Sequence, residues 1–295
     1  MGEKFDRSVE DMGNIIGLEH VNVQVGDQRL ATLFYVSGLG LTRDPYLQIG
    51  VTNMWVNVGR SQFHLPTNEP QVLRGRIGLV MPGLDALVDR LESVREPLEE
   101  TQFDFAAPNG NNVVDVTCPW GNKFRCHEAG GKFDPMGLGM PYVQFDVPAG
   151  TTDGIARFYD QIFAAPARIG DWEGAPAAII QAGLCQELVF RETDAPLPAF
   201  DEHHIQIYVG DFSGPYNRLK ERGLISQESN QHQYRFVMIV DPDSGKELFE
   251  IDHEVRSMTH PLWGRPFVNR NPESTNRTFA AGHEHRSWSV PWTAQ

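Results

Sequence analysis

Four stretches of this chain repeat one pattern: a short strand, a turn rich in Gly, Pro or Asp, and an amphipathic helix. They are LEHVNVQVGDQRLATLFYVSG, GRIGLVMPGLDALVDRLES, PYVQFDVPAGTTDGIARFYDQIF and HHIQIYVGDFSGPYNRLKERG. Such repetition constrains the fold strongly, because one supersecondary unit cannot bury its apolar face alone and must pack against its copies. Further strand-like runs follow each helix, among them MWVNVG, SQFHLP, NVVDVTC, ELVFRE and YRFVMIV. Each unit therefore reads βαβββ, and the class is α+β. Asp27, Thr152 or Asp153, and Asp211 are candidate N-caps, with Gly38 and Gly223 as helix stops. A Gly- and Pro-rich join at 129–141 suggests two domains of two units each, 17–130 and 141–254. Residues 1–16 form an N-terminal extension. Residues 255–295 form an extended Pro-rich tail whose Trp and Phe side chains are expected to pack over the body.

Side chains alternate between the two faces of a strand. In LEHVNVQV, Val21, Val23 and Val25 share the packing face, which leaves His20, Asn22 and Gln24 on the other. In HHIQIYV, His204, Gln206 and Tyr208 share the polar face, and His203 falls among the packing residues as their neighbour. Units one and four thus each carry a His at the head of a polar strand face. The corresponding faces hold Arg76, Gly78 and Val80 in unit two, and Gln144 and Asp146 in unit three.

Tandem βαβββ units, a His near the start of a first strand, the helical pairs Phe34-Tyr35 and Phe158-Tyr159, and the terminal DPDSGKELFE together resemble the vicinal oxygen chelate superfamily. That group includes glyoxalase I, extradiol ring-cleaving dioxygenases and bleomycin-binding proteins. The resemblance covers residues 17–254. It implies two glyoxalase-like domains and one divalent metal ion, held in a cup that two units form from their first and last strands.

On the last strands, Gln62 and His64 share a face, as do Leu248, Glu250 and Asp252. His64 follows His20 by 44 residues and Glu250 follows His204 by 46. The metal candidates are therefore His20, His64, His204 and Glu250. Unit two offers Arg125, which has no lone pair to give a metal. Pairing unit one with unit four yields three His and one Glu; pairing three with four yields Gln144, His204 and Glu250. The first is preferred. Fe(II) is the favoured ion, because His20, His204 and Glu250 form a 2-His-1-carboxylate set, with Mn, Co, Ni or Zn as alternatives. His64 is then a fourth ligand or a base beside the metal. The resemblance to extradiol dioxygenases points to His232 and Tyr234 as proton-handling residues, and Arg235 is available for an anionic substrate. Glu254 and Arg256 could support the ligands and clamp an anion, and His283 and His285 in the tail could chelate.

The expected function is an Fe(II) extradiol-type dioxygenase acting on a small molecule. The alternatives are a glyoxalase-type lyase or isomerase and a non-catalytic binding protein. A formal charge of −14, from 25 Lys and Arg against 39 Asp and Glu, argues against nucleic acid and anionic lipid as partners. The sequence has no apolar run of membrane-spanning length and no signal-peptide core. Its three Cys form no disulfide framework, so a cytoplasmic location is expected.

Overall fold

In a computed structural model, which describes residues 5–47, 51–106 and 112–270, all four units take the expected form. Unit one comprises β1 (Ile15–Asn22), α1 (Gln28–Ala31), β2 (Thr42–Arg43), β3 (Asn53–Val58) and β4 (Ser61–Pro66). Unit two comprises β5 (Gly75–Met81), α2 (Leu84–Ser93), β6 (Asp104–Phe105), β7 (Val113–Thr117) and β8 (Lys123–Glu128). Unit three comprises β9 (Gly139–Pro148), α3 (Thr152–Phe158), β10 (Ala167–Trp172), β11 (Ala175–Gln181) and β12 (Glu187–Thr193). Unit four comprises β13 (His204–Val209), α4 (Ser213–Glu221), β14 (Ile225–Asn230), β15 (Gln233–Val240) and β16 (Glu247–Ser257). No described helix is long and apolar enough to cross a membrane.

The units combine into two eight-stranded sheets, ordered β14-β15-β16-β13-β1-β4-β3-β2 and β10-β11-β12-β9-β5-β8-β7-β6. Unit one therefore shares a sheet with unit four, and unit two shares one with unit three. Each sheet is joined at its centre by two antiparallel first strands, β1 with β13 and β5 with β9. In every unit the first strand runs parallel to the last. That crossover is what the intervening helix spans.

The helical FY pairs anchor the core. α1 and α3 each continue as a π-helical turn, Thr32–Gly38 and Tyr159–Phe163, and the two consecutive aromatics lie within the first turn and at the start of the second. Phe34 and Tyr35 pack on Phe124, and Phe158 and Tyr159 on Phe163. All six rings are fully buried, each worth about 1.5–3 kcal/mol by area. Asp27 caps α1 by accepting from Leu30 N at 2.8 Å. For α3 the cap comes from elsewhere: Glu192 Oε1 on β12 accepts from the Thr151 and Thr152 amides at 3.0 and 3.2 Å.

The chain after β16 turns back over the first sheet. Trp263 packs edge-on against Tyr208 at 4.6 Å. Arg265 donates to Asp44 Oδ2 at 2.8 Å and to Gln62 Oε1 at 2.7 Å. Asn269 pairs with both backbone groups of Gly59, accepting from its N–H at 3.0 Å and donating to its carbonyl at 2.9 Å. Residues 258–270 are thus a strap from unit four across to unit one. His283 and His285 lie outside the described residues.

Candidate metal centre

The polar faces of β1 and β13 meet at the middle of the first sheet. His20 stands opposite Gln206 and Asn22 opposite His204, so the two histidines are diagonal neighbours across a local twofold. Their ring centroids are 5.8 Å apart. A β-bulge between Leu18 and His20 leaves Glu19 as the extra residue. The bulge turns Glu19 toward the same face as His20: its Oε2 lies 3.4 Å from His20 Nδ1 and 3.1 Å from Arg256 Nη1.

His64 comes in from β4, opposite Asn22. It stacks on Trp55 with centroids 3.9 Å apart, and its two ring nitrogens face the carboxamides of Asn22 (2.5 Å) and Asn53 (2.9 Å). A neutral imidazole has one N–H and one lone pair, so one of these amides presents its oxygen and the other its nitrogen. His20, His64 and His204 each offer a ligand atom within 4.8 Å of the others, the one metal-capable cluster among the described residues.

Glu250 is not part of that cluster. It sits near the start of β16, opposite Met238, with an exposed side chain, and its backbone carbonyl accepts from Arg74. The β16 carboxylate that reaches the site, at His204, is Glu254, four residues on along the same strand face, about 13 Å away at strand rise. Glu254 stands opposite Gln206, and its Oε2 lies 3.6 Å from His204 Nε2. The proton-handling candidates also part company. Arg235 points into the cup, where it pairs with Asp252 Oδ2 at 2.6 Å and with Glu254 Oε2. Tyr234, its neighbour in β15, must face the other way, and it is buried against Phe212 and Tyr216 under α4. His232 sits in the β14–β15 turn, 3.2 Å from Thr259 Oγ1. Neither enters the cup. His203 is buried in the packing, its Nδ1 2.5 Å from Asp201 Oδ1.

Burial and cationic neighbours keep the three imidazoles neutral. His20 and His204 titrate well below the ordinary range, through desolvation first and then the fields of Arg256 and Arg235. His64 is pushed down to about 3, for the same reasons. Burial raises the Glu19 carboxyl to about 7, against the pull of Arg256 and Arg265. Several buried groups on this face have no partner in the protein: His20 Nε2, both ends of the Gln206 amide, and Asp252 Oδ1. Native interiors rarely leave such groups unpaired without a ligand or ordered water.

The second sheet builds no comparable site from its equivalent positions. Arg76 and Arg125 both pair with Glu173, and Arg125 also pairs with Asp115 at 2.7 Å. Gln144 accepts from Trp172 Nε1 at 3.0 Å. The Tyr142 ring lies over Gly78, where an added Cβ would come within 2.3 Å of it.

No protein-family model and no curated protein matches this chain. Solved structures do. Glyoxalase I from Zea mays superposes with a TM-score of 0.58 at 14% identity, over 82% of this chain and 92% of the other. A Bacillus subtilis protein provisionally assigned as a dioxygenase gives 0.54 at 15% identity, over 84% and 87%. With two sheets of paired βαβββ units, these likenesses show that the chain has the vicinal oxygen chelate fold.

Proposed function

We propose that the chain is a divalent-metal enzyme of the vicinal oxygen chelate type, acting on a small substrate through two neighbouring oxygens. One observation carries this: three neutral imidazoles, His20, His64 and His204, converge in a largely buried cup, with the Glu254 carboxylate beside His204. The donor set fits an ion. His20 Nε2 is a buried lone pair without a protein partner, and nitrogen with carboxylate suits Fe, Mn, Co, Ni or Zn. Bound there, the ion would supply Lewis-acid polarisation of the substrate oxygens.

The chain's own residues do the orienting. Glu19 takes the His20 Nδ1–H, which leaves Nε2 facing the cup. The Asn22 and Asn53 amides hold the His64 ring at both nitrogens, so His64 would bind an ion only by releasing the amide at its lone-pair nitrogen. Arg256, held between Glu19 and Glu254, keeps both carboxylates in place. The strap packs Trp263 over Tyr208, on the strand face that also carries His204.

Within this type, a glyoxalase-like lyase or isomerase is favoured over the dioxygenase. If the Glu254 carboxylate joined the His20, His64 and His204 cluster, the four donors would fill more of a metal's surroundings than a 2-His-1-carboxylate set does. His232 and Tyr234, the side chains a ring-cleaving reaction would use, lie outside the cup. One observation supports the dioxygenase: His64 is already held at both nitrogens. With His64 as an orienting group, His20, His204 and Glu254 remain as an Fe(II)-type triad. The test is to load purified protein with Fe(II), Mn(II), Ni(II) or Zn(II) and assay two reactions. Oxygen uptake with catechols would support the dioxygenase. Isomerisation of 2-hydroxycarbonyl or thiohemiacetal substrates without oxygen uptake would support the lyase or isomerase. Protein that takes up no metal would sink both.

A further inference from the structure

Arg235 stands where an ion shared by His204 and Glu254 would have to sit. Its Nη2 lies 3.4 Å from His204 Nε2 and pairs with Glu254 Oε2, and those two acceptors are themselves 3.6 Å apart. The guanidinium edge therefore bridges the two groups from which a metal would draw electrons. Its other nitrogen, Nη1, bonds Asp252 Oδ2 at 2.6 Å. The remaining oxygen of that carboxylate, Asp252 Oδ1, is buried and has no partner. Arg256 forms an ion pair with the other oxygen of Glu254, Oε1, at 2.5 Å but without hydrogen-bond alignment, and leaves Oε2 to Arg235.

We propose that Arg235 is a built-in cation that competes with the divalent ion for His204 and Glu254, and that Asp252 is the seat to which it withdraws. This rests on the metal reading above. Withdrawal needs only a small pivot. Nη1 stays on Asp252 Oδ2, and Nη2 moves from Glu254 to Asp252 Oδ1, which makes a two-armed fork of the kind guanidinium and carboxylate prefer. No charge is stranded. Arg235 remains paired with Asp252, Arg256 remains between Glu19 and Glu254, and Glu254 Oε2 and the His204 lone pair pass to the ion. With no ion bound, the same arginine spares the cup an uncompensated buried carboxylate, which is costly in a low-dielectric interior. Arg235 is thus a positioning residue that sets metal affinity.

Mn(II) titrated into the full-length protein by calorimetry tests this, with the heat that survives in His204→Ala subtracted as binding outside the cup. Arg235→Met removes the competing charge at similar length and should bind Mn(II) about tenfold or more tighter than the parent, within the range that groups around ligands usually command. Asp252→Asn takes away the seat and should bind about tenfold weaker. The double variant should recover the affinity of Arg235→Met, since the seat is needed only while the arginine is present. Tight binding by Arg235→Met alone, with none by the parent, would also support the proposal. A parent that binds Mn(II), with Arg235→Met no tighter or Asp252→Asn no weaker, overturns the proposal and leaves the metal site standing. If neither parent nor Arg235→Met binds, both fall. Should Arg235→Met fail to fold, Asp252→Asn decides alone.

Discussion

His64 and Glu254 hold the same position in the two halves of one sheet. His64 faces Asn22, two residues on from His20; Glu254 faces Gln206, two residues on from His204. The site is a twofold arrangement in which one half ends in an imidazole and the other in a carboxylate.

From that symmetry, Glu254→Ala and His64→Ala should each weaken Mn(II) binding by well over tenfold, since each would remove a donor from the four-ligand set. Glu250→Ala should leave it unchanged, because that side chain is exposed at the other end of β16. Titration calorimetry on the three variants checks this. A Glu250→Ala protein that loses the metal would return the ligand to the earlier residue. The unit pairing has its own comparison: His20→Ala should abolish binding while Gln144→Ala, in the other sheet, should not alter it.

How much of this was legible in the sequence follows from periodicity. Strand alternation needs no tertiary information, so His20 and His204 could be placed on the polar faces of their strands directly. The same rule separates Arg235 from Tyr234 on β15. Alternation puts Glu250 and Glu254 on one face of β16, and only chain separation favours Glu250, a guide that fails where register slips. β15 and β16 are longer than β3 and β4 and pair through irregularities at Phe236/Met238 and Ile239/Val240, so equal chain separations do not mean equal positions. The bulge that turns Glu19 beside His20 left no local mark either. Arg265 meets Gln62 across 203 residues of chain, which no short-range pattern announces.

The strap should be coupled to the stability of the cup. Arg265→Gln leaves the fully buried Asp44 side chain without its cationic partner, though the carboxylate still accepts from Gln62 and from the Tyr46 and Leu47 amides. A loss of about 1–3 kcal/mol follows, the usual cost of an under-satisfied buried acceptor. Urea denaturation would register it as a lower midpoint. An unchanged midpoint would mean that the strap is only loosely seated.

In the second sheet, Gly78→Ala should destabilise the protein by about 1–3 kcal/mol, because the new methyl would press into the Tyr142 ring at 2.3 Å. The double variant Gly78→Ala/Tyr142→Leu removes the opposing ring and should lose less than the two single changes added together. Melting temperatures of the four proteins give the coupling directly. Additive losses would show that Tyr142 does not fill the space above Gly78.

Acid stability offers a prediction remote from the candidate metal centre. Asp241, in the β15–β16 turn, accepts from the Asp243 and Ser244 amides at 3.0 Å each and from Arg157. The Ser244 amide and Arg157 contribute most to holding its carboxyl down to about 2. An unfolded chain returns it to about 3.9. Between those values the unfolded state binds the extra proton, so stability rises with pH there. The contribution is fully present above about pH 5 and is lost as pH falls through about 2, below which both states are protonated. Asp241→Asn has no such proton to bind. The gap in unfolding free energy between parent and variant should therefore be constant from neutral pH to about 5 and shrink steadily below about 4. Denaturant titrations across that range measure it, and a gap that stays level down to pH 2 would mean that the Asp241 charge does not stabilise the turn.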